Sequence, residues 1–299
     1  MRDGWFGRIV AAMSLASVAV VLLSGCSDDG SEATTDVKVI AAFYPLAWAA
    51  RQVGGEAATV EDLTPPGAEA HDIQLTARQR ADVQNATLIV LFGKGFQQQL
   101  EDAARDSGGR AVDLLESLPL LPSNEEELDA DPHVWLDPAL MREIVGRVGE
   151  ALAGTDATNA TAYRRRASVV QEQLAGLDAS YRQALGACAL KTMVTTHEAF
   201  GYLAKRYGLT QLGLTGLTPE AEPSAAQLRD VRELARDKKI AAVFVEATDE
   251  GRRIGESVAR DVGVPALALN TLESDPKPEE YLSQMRENLT NLKRGLRCS

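Results

Sequence analysis

The chain contains three histidines, His71, His133 and His197, and none of them sits inside a periodic helical face. His71 follows a short apolar run and the stiff turn Pro65-Pro66-Gly67. His133 lies between Pro132 and a helix start at Asp137-Pro138, and His197 comes directly after the run KTMVTT. Neutral imidazole is the commonest nitrogen ligand of zinc, and three of them fill most of a tetrahedral shell whose fourth place goes to a carboxylate or water. The spacings of 62 and 64 residues are far too long for a zinc finger, so a shared site has to be assembled by the fold.

The elements that must position these residues are legible from periodicity. Short Val/Ile/Leu-rich runs alternate with amphipathic segments along the whole chain, which predicts an α/β protein with mostly parallel sheets flanked by helices. In the first half the spacing predicts strands at 37–42, 59–63, 88–92 and 110–113, with helices near 45–54, 77–86 and 95–107. In the second half it predicts strands near 191–195, 210–213, 241–245 and 265–269, with helices near 198–208, 225–237, 250–262 and 278–296. Thr76-Ala-Arg-Gln79 and Ser224-Ala-Ala-Gln227 read as capping boxes. Between the halves, Asp137-Pro138 opens a helix running to about Leu152, and a second helix from about Ala157 to Leu185 is long enough to span two lobes. The predicted organisation is an N-terminal lobe at 37–136, a helical linker with a long rigid backbone helix at 137–186, and a C-terminal lobe at 187–299. Each histidine then falls at a strand end or in the loop beyond one, where open α/β sheets bind ligands.

Composition excludes several function classes. The 299 residues are 45% hydrophobic and 25% charged, an ordinary globular balance, and the formal net charge of −12 argues against nucleic acid as a partner. At the N-terminus, Arg2 and Arg8 precede an apolar run from Ile9 to Leu23, which reads as a cleavable signal peptide over 1–25. The ending Leu23-Ser24-Gly25-Cys26 resembles the lipobox of bacterial lipoproteins, which implies a lipid on Cys26, a polar tether at 26–36 and attachment to the cell membrane outside the cytoplasm. With Cys26 so assigned, Cys188 and Cys298 remain as an even pair in an oxidising compartment, and a disulfide between them is expected. The acidic stretch PSNEEELDAD at 122–131 reads as a solvated turn, and Gly93-Lys94-Gly95 as a plain turn rather than a phosphate loop.

Four blocks carry a family resemblance: PPGAEAHD at 65–72, DPHVWLDP at 131–138, THEAFGYLAKRYGL at 196–209 and PEAEPSAAQL at 219–228. Together they resemble the solute-binding lipoproteins of zinc-uptake ABC transporters over about residues 37–296. The resemblance implies two α/β lobes joined by a rigid helix, metal ligation by His71, His133 and His197, a permease as partner and a monomeric receptor without enzymatic turnover. Manganese-type relatives carry a carboxylate where this chain has His197, and nitrogen-rich sites favour zinc, so Zn²⁺ is the expected cargo. The sequence departs from the family pattern at Ala70, where a proline is usual, in lacking a histidine-rich insert before Asp131, and at Asn270, where an aspartate ligand is frequent. The fourth ligand stays open among Asn270, the acids Glu69, Glu246 and Glu273, and water. Alternatives are a manganese or metal-chelate receptor of the same fold, and a zinc-dependent hydrolase with Glu69 or Glu246 as base. Against the latter, His197-Glu198 begins an H-E-x-x-H motif that fails at Gly201.

Overall fold

A computed structural model describes residues 37–71, 73–107, 110–125, 128–219, 223–246, 248–276 and 280–299. The expected signal peptide and tether, with Cys26, lie outside the described residues. Strands β1 (Val37–Ala41), β2 (Ala58–Asp62), β3 (Leu88–Leu91) and β4 (Arg110–Asp113) form a parallel sheet in the order β2-β1-β3-β4. Strands β5 (Thr192–Thr195), β6 (Thr210–Gly213), β7 (Val243–Val245) and β8 (Ala266–Ala268) form a second in the order β6-β5-β7-β8. Sequence dictates this order. The all-apolar runs LIVL and VFV, covered on both faces, occupy central positions, whereas ATVED, RAVD and TQLG tolerate the half-wet edges.

Helices α1 (Tyr44–Gly54), α2 (Ala77–Gln84) and α3 (Gln98–Arg105) belong with the first sheet, and α6 (Gly201–Tyr207), α7 (Ala225–Arg236), α8 (Asp249–Val262) and α9 (Tyr281–Leu296) with the second. Both predicted capping boxes form, Thr76 with Gln79 and Ser224 with Gln227. The helix expected from residue 95 starts at Gln98, because Lys94 and Gly95 take positive φ angles of 66° and 84° in the turn after β3.

Between the sheets run α4 (Pro138–Thr155) and α5 (Ala160–Gly186). Asp137 caps α4 by accepting the Ala139 N–H, with Pro138 preset in the first turn. Along α5 the residues Tyr163, Ala167, Val170, Leu174, Leu177, Tyr181 and Leu185 form one buried stripe at three- and four-residue spacing, which packs on α4 and, towards its C-terminal end, on α6 and α9. At 27 residues α5 is about 40 Å long. It grips the first lobe through Arg166, whose guanidinium donates to the carbonyls of Val53 and Gly54 at the end of α1. It grips the second through Tyr181, which donates to the Met285 carbonyl of α9 at 2.6 Å, and through the disulfide Cys188–Cys298 at its own C-terminal end. One apolar core runs from the first sheet through α1, α4 and α5 to the inner face of the second sheet, and a smaller core of Val194, Leu214, Val231, Val243, Val245 and Val258 lies on the outer face under α7 and α8.

Candidate metal centre

The three histidines reach one point from three different connections. His71 sits in the loop after β2, His133 in the segment between β4 and α4, and His197 two residues beyond the end of β5. Their Nε2 atoms converge: His71 to His133 is 3.3 Å and His133 to His197 is 3.4 Å. Glu273, in the loop after β8, completes the group, with carboxylate oxygens 3.6 Å from His197 Nε2, 3.9 Å from His71 Nε2 and 4.0 Å from His133 Nε2. A zinc–nitrogen bond of about 2.0–2.1 Å sets the edge of a regular tetrahedron at about 3.3–3.4 Å. The His71–His133 and His133–His197 edges match that length, and the carboxylate edges run longer.

Carboxylates behind the rings fix which nitrogen faces the centre. His133 Nδ1 lies 2.8 Å from Asp131 Oδ1 and His197 Nδ1 lies 2.6 Å from Glu246 Oε1. An ionised carboxylate only accepts, so in each pair Nδ1 carries the proton and Nε2 is the nitrogen turned inward, its lone pair available once the ring is neutral; burial pushes Asp131 up to about 7. Glu246 also accepts from the Thr196 hydroxyl. Asp131 further accepts the His133 N–H, and Tyr202 donates to the Asp131 carbonyl, so the segment that carries His133 is tied to α6. The His71 ring lies edge-on to Phe96 at 4.8 Å, on an apolar wall that also includes Phe43, Phe92 and Trp135.

His133, His197 and Glu273 are buried, and burial sets their charge states. Burial, aided by the neighbouring imidazoles, holds His71 and His133 well below the ordinary histidine value. Burial also pulls on His197, but the charge of Glu246 and the hydrogen bond to it outweigh that pull and hold the ring up at about 9. Burial pushes Glu273 well above the usual carboxylate range, reinforced by Glu69 and Glu246. Glu273 Oε1 has no hydrogen-bond partner among the described residues. A buried carboxylate oxygen without a donor, facing three inward imidazole nitrogens, is a donor set for a cation.

The sequence names His71, His133 and His197, and the fold brings all three together. Asn270 serves the backbone instead, because its Oδ1 accepts the Leu272 N–H at 2.7 Å and closes a turn three residues before Glu273. Glu246 orients a ring rather than joining the group, and Glu69 lines, with Glu273 and Asp275, a recess of about 390 Å³. Two roles escape the sequence reading. Parallel register pairs Thr195 with Phe244, so two residues further on His197 meets Glu246, a pairing that sheet order alone reveals. Glu125, expected to be solvated, accepts the Leu217 N–H at 2.5 Å, the Thr218 N–H at 3.1 Å and the Thr218 hydroxyl, clasping the loop beside His197.

A family model described as zinc-uptake complex component A, periplasmic (ZnuA), matches residues 39–295. The chain belongs to this family. The chain is similar to the zinc-binding lipoprotein AdcA of Streptococcus pneumoniae, at 31% identity over 302 residues covering 94% of this chain and 60% of AdcA. It thus spans about 60% of the length of that relative. The high-affinity zinc uptake system protein ZnuA of Bacillus subtilis is 29% identical over 321 residues, 99% of each chain. Among solved structures, the Zn(II)-bound ZnuA-like domain of Streptococcus pneumoniae AdcA superposes with a TM-score of 0.76 at 30% identity, covering 87% of this chain and 99% of that one. The laminin-binding protein Lmb of Streptococcus agalactiae, described as a bifunctional protein with adhesin and metal-transporting activity, gives 0.80 at 29% identity, with 87% and 99% covered. Members of the ZnuA family thus share the two-sheet architecture of this chain.

Proposed function

We propose that this chain is an extracytoplasmic receptor that captures Zn²⁺ through His71, His133, His197 and Glu273 and delivers it to an ABC permease for import. The convergence of three Nε2 atoms, with His133 at tetrahedral edge length from each of the other two, carries the reading. Nitrogen-rich ligation favours zinc over manganese. His71 and His133 precede α4 and His197 and Glu273 follow β5, so each side of the cleft supplies half of the shell. Separating the two sides would take the ion from four ligands to two, which gives binding and release one common coordinate. Zinc is the cargo, and no bond is made or broken in it.

The same reading includes residues 1–25 as a leader, lipid attachment at Cys26, a tether at 26–36, lobes at 37–136 and 187–299 around a connector at 137–186, and a monomeric state. The AdcA of Streptococcus pneumoniae is named a zinc-binding lipoprotein, which supports the anchor. The test is metal content together with competitive Zn²⁺ and Mn²⁺ titration of the chain from residue 27 onward, beside His133→Ala. One zinc per chain, lost in the variant and not displaced by Mn²⁺, is the expected result; zinc indifferent to the substitution refutes the site.

A further inference from the structure

Glu273 is delivered by a turn that the chain holds against its own preference. Leu272, fully buried, has φ of +60°, a left-handed conformation that a branched aliphatic residue rarely adopts. Every backbone step before it is pinned by a different partner. The Leu269 N–H donates to the Val245 carbonyl at 2.8 Å. At Asn270 the N–H donates to Asn288 Oδ1 at 2.9 Å and the C=O accepts from Asn288 Nδ2 at 2.7 Å. The Thr271 carbonyl accepts from Trp135 Nε1 at 2.7 Å, and the Leu272 N–H donates to Asn270 Oδ1 at 2.7 Å. Glu273 follows at once.

Asn288 stands on α9, 1% exposed, where the neighbouring positions Met285, Leu289 and Leu292 are apolar core. Its carboxamide reproduces the donor and acceptor pair of a neighbouring strand just past the end of β8, where the sheet itself has stopped. A leucine there would fill the space and leave two buried backbone groups of Asn270 unpaired.

We infer that Asn288 is a positioning residue for the metal centre: by clamping both backbone polar groups of Asn270 it holds the strained 270–272 turn that aims Glu273 at the histidines, and so sets divalent-cation affinity through that one carboxylate. This rests on the reading of Glu273 as a ligand. Asn270 acts in the same device as the acceptor that closes the turn, which an aspartate would also do. Trp135 ties the turn to the segment of His133, so the two ligand loops share one hydrogen bond across the cleft.

The test uses the full chain and Zn²⁺ competition against a chromophoric chelator. Asn288→Ala is expected to weaken Zn²⁺ binding about tenfold or more, as loss of a residue that orients a metal ligand does elsewhere. In a Glu273→Gln background the same substitution is expected to add nothing, and Asn270→Asp is expected to bind as the parent does. Amide hydrogen exchange of the metal-free Asn288→Ala chain is expected to rise over 269–273. Should Asn288→Ala fold poorly, Asn270→Ala opens the same turn from its half-buried side and is read in the same two backgrounds. An equal loss with and without the Glu273 carboxylate, or no loss at all, overturns the inference. His133→Ala separates the two readings: if it abolishes zinc binding while Asn288→Ala acts equally in both backgrounds, the receptor stands and the clamp falls, whereas retention of zinc by His133→Ala removes the receptor reading itself.

Discussion

Acidification should release zinc from this site over a higher pH window than ordinary histidines would give. In the metal-free protein burial pulls on the His197 proton, but the charge of Glu246 and the hydrogen bond to it hold that proton up to about pH 9. Burial keeps Glu273 protonated well above the usual carboxylate range as well. Zinc requires a neutral imidazole and an ionised carboxylate, so at neutral pH its binding must expel at least one proton. Each displaced proton makes affinity fall about tenfold, or 1.36 kcal/mol, for every pH unit below the pKa of the group that held it. From pH 8 to pH 6 the expected loss is therefore about 100-fold for one proton and more if Glu273 contributes a second. His71 and His133, held low chiefly by burial, add no slope in that range. The assay is chelator competition at pH 6, 7 and 8, with calorimetry at pH 7.5 in two buffers of different ionisation enthalpy to count the protons released. Affinity that is flat between pH 7 and 8 and breaks only near 6.5 would mean unperturbed histidines, and would refute the ion pairing of His197 with Glu246.

Three further outcomes are expected. Reduction of Cys188–Cys298, or Cys188→Ser with Cys298→Ser, opens a link across 110 residues that encloses the second lobe; chain entropy puts the loss at about 4–5 kcal/mol, read by urea denaturation with and without reductant. Asp131→Ala and Glu246→Ala, each freeing one Nδ1, should weaken zinc about 10–100-fold in equilibrium titration, and unchanged affinity would show that the rings need no carboxylate to orient them. Glu125→Ala removes the clasp on Leu217 and Thr218 and is expected to speed zinc loss to excess chelator several-fold in stopped flow; an unchanged rate means that the clasp does not hold the cleft closed.

The parts of the fold that a linear sequence can report are those set by local chemistry. Central strands announce themselves as unbroken apolar runs, LIVL and VFV, and helix starts as Thr76, Asp137 and Ser224, because burial on two faces and orphan N–H groups leave compositional marks. The histidines were legible for the same reason: three in 299 residues, all beyond strand ends. The fourth ligand was not. Glu69, Glu246 and Glu273 are each an acid beyond a strand end near the site, and nothing in a linear sequence separates a ligand from a ring-orienting base or a residue lining the recess. What separates them is the register that sets Glu246 against His197, and a positive φ at Leu272 that no residue type advertises. Asn270 drew notice as a neutral replacement for an acid, yet a side-chain oxygen at that position serves the turn by accepting an N–H, a role to which charge is incidental.

The two lobes share a strand order and contribute unequally to the site. In the first sheet Ala41 pairs with Val90, and in the second Thr195 pairs with Phe244. Two residues beyond these pairs stand Phe43 and Phe92 in one lobe, His197 and Glu246 in the other. The phenylalanines meet edge to face at 5.3 Å, and the histidine and glutamate at 2.6 Å as an ion pair. Equivalent crevices at the reversal of strand order thus hold an apolar plug on one side and a charged, ring-orienting pair on the other. The plug continues through Phe96 and Trp135 to the rings of His71 and His133, so the ligands of the first lobe are flanked by hydrocarbon, with the Asp131 carboxylate behind His133. Hydrocarbon excludes water and keeps His71 and His133 neutral and ready to ligate, which the carboxylates of the second lobe could not do for them. The second lobe contributes the carboxylate in the group, Glu273, and a second one behind it, Glu246. A cleft between these unlike lobes lets one cation draw neutral imidazoles from the first and a carboxylate from the second.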